Sequence, residues 1–411
     1  MNSKINTIYK EFQIQEMCDV IKGKTPTMKA IPGKYPLVVT AENRKSCNDY
    51  QIDGEAVCIP LVSSTGHGHA SINRIHIERG KFALANIMVA IIPKDLENIS
   101  TTYLYYLFNT KKEEYFVSLM RGTANVSLKI QDIKNVRISL PPMETQLKIV
   151  SKIEKFLNDF NKAKSYLEEL QSHLNQYKKS LLKSMFESNE THSHENDPKN
   201  WNYQKLEECV SQIIGGDWGK ENVEKVHKDF VRVKVIRGVD ITKWKTEQGK
   251  NIVIRTIKKS SLEKRKLESG DIIFEISGGS STFSVGRTFL ITEQILENLT
   301  FPLICNNFFR KIRFEKELIP KFIKYFFDYY YELNGMKPFI SQTTNLQNFN
   351  ISKFLSEINI GIPKKETQKT IVQKLDEKFS LIEDLQNYVD VQLHDLEIMK
   401  TSMFKQSFKI M

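Results

Sequence analysis

The sequence predicts a mixed α+β protein made of two similar globules, each followed by one long helix. The two helices are expected to pair antiparallel as a coiled coil that separates the globules, giving an internal pseudo-twofold repeat. Two observations predict this. Residues 141–186 and 363–408 align without a gap, 222 positions apart (144 to 366): Pro141 falls on Pro363, Glu144-Thr145-Gln146 on Glu366-Thr367-Gln368, Ile149-Val150 on Ile371-Val372, and Phe186 on Phe408. Each copy is preceded by a strand-rich stretch of the same internal order. A repeat on this scale outranks any local motif in fixing the architecture.

The first globule is read as residues 1–142. Ile14 to Gly23 is a short amphipathic piece. Runs rich in Val and Ile follow at Tyr35–Thr40, Ala56–Val62, Ile72–Ile77 and Ile87–Ile92, separated by Gly, Asn or Ser, and read as strands. Thr101–Phe116 has Tyr103, Leu107 and Tyr115 at helical spacing. A polar loop, Arg121–Ser127, and a strand, Val136–Leu140, lead to Pro141-Pro142, which suit a helix start because the amides lost there have no partner anyway.

The first long helix is placed at residues 143–188. Its apolar positions alternate at spacings of four and three for about five heptads, a seam that asks for a partner helix. One row is Ile153, Phe160, Leu167, Leu174 and Leu181; the other is Ile149, Phe156, Ala163, Leu170 and Tyr177. In the second copy, residues 365–411, Leu375, Ile382, Val389, Leu396 and Met403 keep one row intact, while Ile371, Lys378, Leu385, Gln392 and Met399 form an interrupted one. A helix of about 40 residues is about 60 Å long, too long for one ordinary domain to cover. The two copies are therefore expected to pack on each other or on helices of a partner protein.

Residues 189–200 are polar with one Pro and read as a linker. The second globule, 201–364, repeats the order of the first. Leu206–Gly215 matches Ile14–Gly23, 192 positions on (14 to 206). Strands are expected at Phe230–Ile236, Asn251–Ile254, Asp271–Ile276, Arg287–Ile291, Phe308–Phe314 and Ile358–Ile362, and a helix at Leu318–Leu333. The loop Gln342–Asn345 parallels Gly122–Asn125.

Lys plus Arg number 60 against 49 Asp plus Glu, a net charge of +11, which points to a polyanionic partner. The five cysteines, Cys18, Cys47, Cys58, Cys209 and Cys305, are scattered without a CxxC pair, against disulfide or zinc frameworks and for a reducing, cytoplasmic setting. The N-terminus carries no apolar signal region and no window approaches about 18 apolar residues, so neither export nor a membrane span is expected.

No catalytic signature emerges. A glycine-rich cofactor fingerprint is missing, and Ser139-Leu-Pro-Pro lacks the acidic or amide residue that base methylation needs before Pro-Pro. Gly219-Lys220 lacks the spacing and hydroxyl of a P-loop. Asp271 and Glu275 resemble a nuclease pair, but Ser277 stands where such a site wants a Lys. His67 and His69 could bind a metal, yet no Cys or carboxylate lies near them in sequence, and the loop reads as exposed. A chain without chemistry of its own remains, with no cofactor expected in it.

The polar loops are more informative. Ser63, Ser64, Thr65 and His67 in the first globule resemble the stretch holding Ser280 and Ser281 in the second. Hydroxyls and backbone amides of this kind suit phosphate contacts. Basic, amide and hydroxyl residues cluster at Lys22, Lys24, Thr25, Asn43, Arg44, Lys45, Arg121 and Asn125. In the second globule they are Lys220, Arg237, Lys243, Lys245, Arg287, Thr344 and Asn345. Arg and Asn pair bidentately with guanine and adenine edges, so these are the candidate DNA contacts.

The arrangement globule–helix–globule–helix, with Pro141-Pro-Met-Glu-Thr-Gln146 and Pro363-Lys-Lys-Glu-Thr-Gln368 opening the helices, resembles the specificity subunits of type I restriction–modification systems. The stretch Gly270-Asp-Ile-Ile-Phe-Glu-Ile-Ser277 leading to Val285-Gly-Arg287 is similar to theirs as well. The resemblance implies two target-recognition domains, each reading one half of a split target on double-stranded DNA. It implies that the paired helices set the spacer and dock two modification subunits, with restriction subunits joining the full complex. It also implies a non-catalytic chain, with S-adenosylmethionine held by the modification partner and ATP and Mg²⁺ serving the restriction partner. A coiled-coil scaffold or adaptor that binds DNA without sequence preference is the rival reading.

Overall fold

A computed structural model describes residues 10–65, 68–123, 125–187, 198–221, 228–279, 283–342 and 346–409, the side chain of Lys245 excepted. Two compact units emerge: Met1–Glu168 with Asp390–Met411, and Glu169–Val389. Most of the expected linker, 189–197, lies outside the described residues.

In the first unit β1 (Lys10–Gln13) and a helical turn, α1 (Ile14–Met17), lead into β2 (Cys18–Lys22). Then follow β3 (Tyr35–Val38), β4 (Lys45–Cys47), β5 (Ile52–Pro60), β6 (His76–Leu84) and β7 (Met88–Pro93). Helices α2 (Thr101–Tyr115) and α3 (Ile130–Asn135), strand β8 (Arg137–Leu140) and the start of α4 (Met143–Phe186) complete the order. The sheet runs β2-β7-β5-β6-β3-β4, and β1 pairs with β8 separately. From Ala56 to Pro60 strand β5 is buried on both faces, which matches the unbroken apolar run there. Val57 and Ile59 join Tyr103, Leu107, Val150, Ile153 and Phe408 in one core. Ala56 and Cys58 join Leu37, Phe82 and Met88 in another.

The second unit repeats the plan: β9 (Asn202–Lys205), β10 (Val210–Gly215), β11 (Phe230–Ile236), α5 (Gly238–Thr242), α6 (Trp244–Glu247), β12 (Val253–Lys258), α7 (Lys259–Arg265), β13 (Ile272–Glu275), β14 (Ser277–Gly278) and β15 (Thr288–Leu290). After these come α8 (Glu293–Glu297), β16 (Leu303–Cys305), β17 (Phe309–Phe314), α9 (Pro320–Glu332), β18 (Ile340–Gln342), β19 (Gln347–Phe349), α10 (Ile351–Glu357), β20 (Asn359–Ile362) and α11 (Lys365–Ser407). Its core is aromatic, with Phe274 4.9 Å from Phe349 and Phe339 5.1 Å from Phe354. The pair β9/β20 matches β1/β8. The expected strand at 251–254 begins instead at Val253 and runs to Lys258.

One match from the sequence shifts by a residue. A bulge between Val210 and Gln212 adds one position to β10, so the counterpart of Gly23 is Gly216, not Gly215. Gly23 donates its N–H to Met88 and Gly216 to Phe309. A Cβ on Gly23 would lie 1.9 Å from the Ala85 carbonyl oxygen, and one on Gly216 would lie 2.0 Å from that of Asn306. Only glycine fits either spot.

The long helices meet antiparallel within each unit. In the first, the Lys400 ammonium lies 4.8 Å from the Phe160 ring centre and Lys164 pairs with Glu397 at 3.2 Å. In the second, Gln386 donates to Asn175 at 3.0 Å and Lys178 lies 5.7 Å from the Phe379 ring centre. Ile153, Phe160 and Leu174 are buried, as are Leu375, Ile382 and Val389; Leu167, Leu181, Leu396 and Met403 are half-buried. The second seam row differs from the expectation. Leu170, Tyr177, Leu385 and Met399 are exposed. The half-buried second row holds Leu157, Lys164, Gln171 and Lys178 in α4, and Phe379, Gln386, Leu393 and Lys400 in α11. Long polar side chains lay their stems along the seam and send their heads to polar partners, so they serve where the pattern sought apolar residues.

Candidate nucleic-acid interface

In the first unit the turn between β6 and β7 organises the loops. Thr25 donates its N–H to Leu84 on one side, and Leu61 donates to Ile87 on the other. Beyond Leu61, Ser63 donates its N–H to Val126 and Leu128 donates to Leu61. The loop of Ser63, Ser64 and Thr65 thus meets the loop of Arg121 and Asn125. Exposed Lys22, Lys24, Asn86 and Arg121 surround the turn and these two loops.

The Ser/Thr hydroxyls are less available than the sequence suggested. Ser63 and Thr65 both donate to the His69 carbonyl, at 2.5 and 3.1 Å, and Ser64 accepts from the Asn73 N–H. They shape the loop, and its amides are engaged as well, Ser64 donating to Ser71 and Thr65 to the Ser63 hydroxyl, so the loop presents its exposed basic neighbours. His67 lies outside the described residues, so the histidine pair has no described geometry. Among the described residues no group of three or more His, Cys, Asp or Glu is arranged to hold a metal ion.

Arg44 is held by Glu78 on β6 and by His76 Nδ1 at 2.9 Å. Burial and the Arg44 guanidinium lower the His76 pKa to about 4. Asn43 and Lys45 flank this cluster, exposed. Nearby, Arg74 pairs with Glu42 at 3.0 Å on the surface.

The second unit forms a cleft of about 740 Å³ at the equivalent place, among Trp218, Arg237, Lys243, Arg287, Asn307 and Phe308. Its turn, Cys305–Phe309, is held like that of the first unit: Asp217 donates to Cys305, and Ile276 donates to Phe308. Arg287 makes a bidentate pair with buried Glu275, at 2.8 and 2.7 Å, gives a third bond to Thr242, and stacks over Phe283 at 4.1 Å. That carboxylate raises the Arg287 pKa further. Arg237 is forked onto Asp240 in the same way. Lys243 is exposed and reaches Glu247 at 3.4 Å. Lys220 bridges to Thr256 through its backbone, at the edge of β12. Lys245 belongs to α6, and Ser280, Ser281, Thr344 and Asn345 lie outside the described residues.

Asp271 and Glu275 are both neutralised. Arg313 binds Asp271 at 2.7 and 3.0 Å, and Arg287 binds Glu275. Neither carboxylate is left to coordinate a metal, so the resemblance to a nuclease pair dissolves.

Sequence reasoning passed over the turn itself. Asn86 and Asn307 occupy the same position in the two repeats, 221 apart (86 to 307), and both are exposed. Among the described residues neither side-chain amide makes a hydrogen bond. Trp218, 36% exposed, carries Arg255 over its ring at 4.3 Å and walls the cleft. The paired sequences Ala85-Asn-Ile-Met88 and Asn306-Asn-Phe-Phe309 held the signal, but the shared letter is one in four.

The family model for the type I restriction modification DNA specificity domain matches this chain twice, at residues 7–170 and 198–389. The chain belongs to that family. Each match takes in one globule and the first part of the helix that follows it. The specificity subunit of the type I restriction enzyme EcoKI from Escherichia coli K12 is 22% identical over 299 residues, covering 71% of this chain and 61% of that subunit. The MjaVIII specificity subunit of Methanocaldococcus jannaschii is 25% identical over 399 residues, covering 90% of this chain and 86% of that one. Among solved structures, a chain from work on complex assembly and conformational transition of the type I R-M system superposes with a TM-score of 0.66 at 16% identity, covering 99% of each chain. The HsdS subunit of Thermoanaerobacter tengcongensis gives 0.55 at 16% identity, over 97% of this chain and 96% of that one. The two-globule, two-helix fold is thus that of type I specificity subunits. Among the described residues no helix is long and apolar enough to cross a membrane.

Proposed function

We propose that this chain is the DNA-reading, non-catalytic subunit of a type I restriction–modification complex in the cytoplasm. Each globule reads one half of a split, asymmetric target on double-stranded DNA. The long helices set the spacing of the halves and dock two modification subunits. Restriction subunits complete the assembly, and S-adenosylmethionine, ATP and Mg²⁺ are carried by the partners.

The observation that carries the reading is a shared frame with unlike loops. In both units the same turn is gripped by the same two neighbouring segments, while the side chains around it differ: Lys22, Ser64 and Arg121 in one, Trp218, Lys243 and Phe308 in the other. Arg237 and Arg287, forked onto acids, position the cleft rather than read bases. Asn86 and Asn307 present free amides of the type that pairs with adenine edges. For docking, the support is an outward apolar stripe: Leu170, Tyr177, Leu381, Leu385 and Tyr388 are all exposed. For the spacer, a helix of 44 residues is about 66 Å long, the span of somewhat under 20 base pairs at about 3.4 Å each.

Sequencing of modified bases in DNA from cells that make the whole complex tests this. The expected result is one two-part motif, different in its halves, with a fixed run of unspecified bases between. A continuous motif, or a palindrome, would contradict it.

A further inference from the structure

The Glu-Thr-Gln triplet opens both long helices, yet reading DNA does not explain it. Its glutamates are exposed and, among the described residues, pair with Lys148 and Lys369 one turn on. The glutamines behave differently. Gln146 is 0% and Gln368 1% exposed. Gln146 Oε1 accepts the N–H of Ser100, the residue capping α2, at 2.9 Å. Its Nε2 donates to the Asn98 and Pro141 carbonyls, both at 2.9 Å. Gln368 repeats the pattern: Oε1 accepts from Ile319, which caps α9, at 2.9 Å, and Nε2 donates to Glu317 at 3.4 Å and Pro363 at 3.1 Å.

Each amide therefore ties three points: its own helix start, the cap of the globule's main helix, and the loop before that cap. All three are backbone groups, so the tie is indifferent to the side chains of a variable globule. A buried amide with both N–H groups and its oxygen engaged is costly to disturb and has one geometry. None of their partners, Asn98, Ser100 and Pro141 or Glu317, Ile319 and Pro363, belongs to the loops that face DNA in the proposed reading.

We infer that Gln146 and Gln368 are positioning residues that lock the angle between each reading globule and its strut, and so set which spacer length the complex accepts. The inference rests on the proposed split-target function. A head free to pivot reaches neighbouring registers; a locked head reaches one.

The test uses the full chain assembled with its modification subunits, and duplexes carrying its own two-part target with the natural spacer or one changed by a single base pair. Single half-site duplexes serve as controls. The wild-type complex should prefer the natural spacer by about tenfold or more. Gln146→Met and Gln368→Met, which keep shape and lose three hydrogen bonds, should each reduce that preference to within about threefold, with half-site affinity changed less than about twofold. If a Met variant fails to fold, Gln146→Asn or Gln368→Asn, which keeps the amide but shortens its reach, supplies the same readout. An undiminished spacer preference in folded variants overturns the lock. So does an equal loss of affinity for full and half sites, which marks a purely structural role. A wild-type complex indifferent to spacer length overturns the ruler reading and the lock together, whereas a preference kept by the variants overturns the lock alone.

Discussion

The two globules share a frame and diverge where the chain faces outward. In the first, β6 is one strand of nine residues that pairs antiparallel with β5 and then parallel with β3. In the second, the same two pairings are made by separate strands, β15 on β13 and β16 on β11, with α8 inserted between them. One six-stranded sheet becomes sheets of four and three. The arginine after the first buried residue of that segment is likewise reused: Arg74 follows Ile72 and Arg287 follows Val285. Arg74 meets Glu42 in solvent, whereas Arg287 meets a carboxylate that is 3% exposed. The comparison teaches that the frame tolerates insertion and recharging of its loop face, provided that the turn contact and the helix start are kept.

The largest expected contrast lies between these two ion pairs. Glu275→Ala strands a largely buried Arg287 and should cost the second unit about 3–5 kcal/mol. Glu42→Ala removes an exposed partner and should cost the first unit under about 1 kcal/mol. Thermal unfolding of the two variants checks both, and equal losses would break the comparison. Next are the glycines, where the two units should agree. Gly23→Ala and Gly216→Ala each force a methyl into a carbonyl and should each destabilise by about 1–3 kcal/mol or more; a neutral outcome at either would mean that its turn can move.

The smallest contrast concerns pH. His76 is held neutral in the fold, its pKa lowered to about 4 by burial and Arg44, against the ordinary 6.5. Its contribution is therefore fully present above about pH 6.5 and is lost as pH falls from there through about 4. The corresponding position of the second unit, one after Thr288, is Phe289. His76→Phe should flatten the decline in the first unit's stability over that window, as followed by chemical unfolding at stepped pH; an unchanged profile would assign the acid sensitivity elsewhere.

Much of this was legible in the sequence. The gapless helix repeat gave the architecture, because a heptad seam sustained for about five heptads admits little else. The row of Leu375, Ile382 and Val389 was plain for the same reason. The second row was not, because Lys164 and Gln386 take seam positions by virtue of their stems, and an apolar count misses them. The split of β6 was hidden by short strands, and the bulge at Ser211 moved the glycine match by one. At the candidate site, Lys22, Arg44 and Arg287 were legible as charge, but charge alone did not say that Arg44 and Arg287 are already partnered. The Asn86 and Asn307 pair stayed unseen because one shared residue in a turn carries no pattern until the backbone aligns it.

The most direct measurement exchanges residues 1–142 for the matching segment of a relative with a different target, then sequences the modified bases in cells making the complex. The account predicts that one half of the motif changes while the other half and the spacer stay. Change in both halves, or in neither, would contradict it.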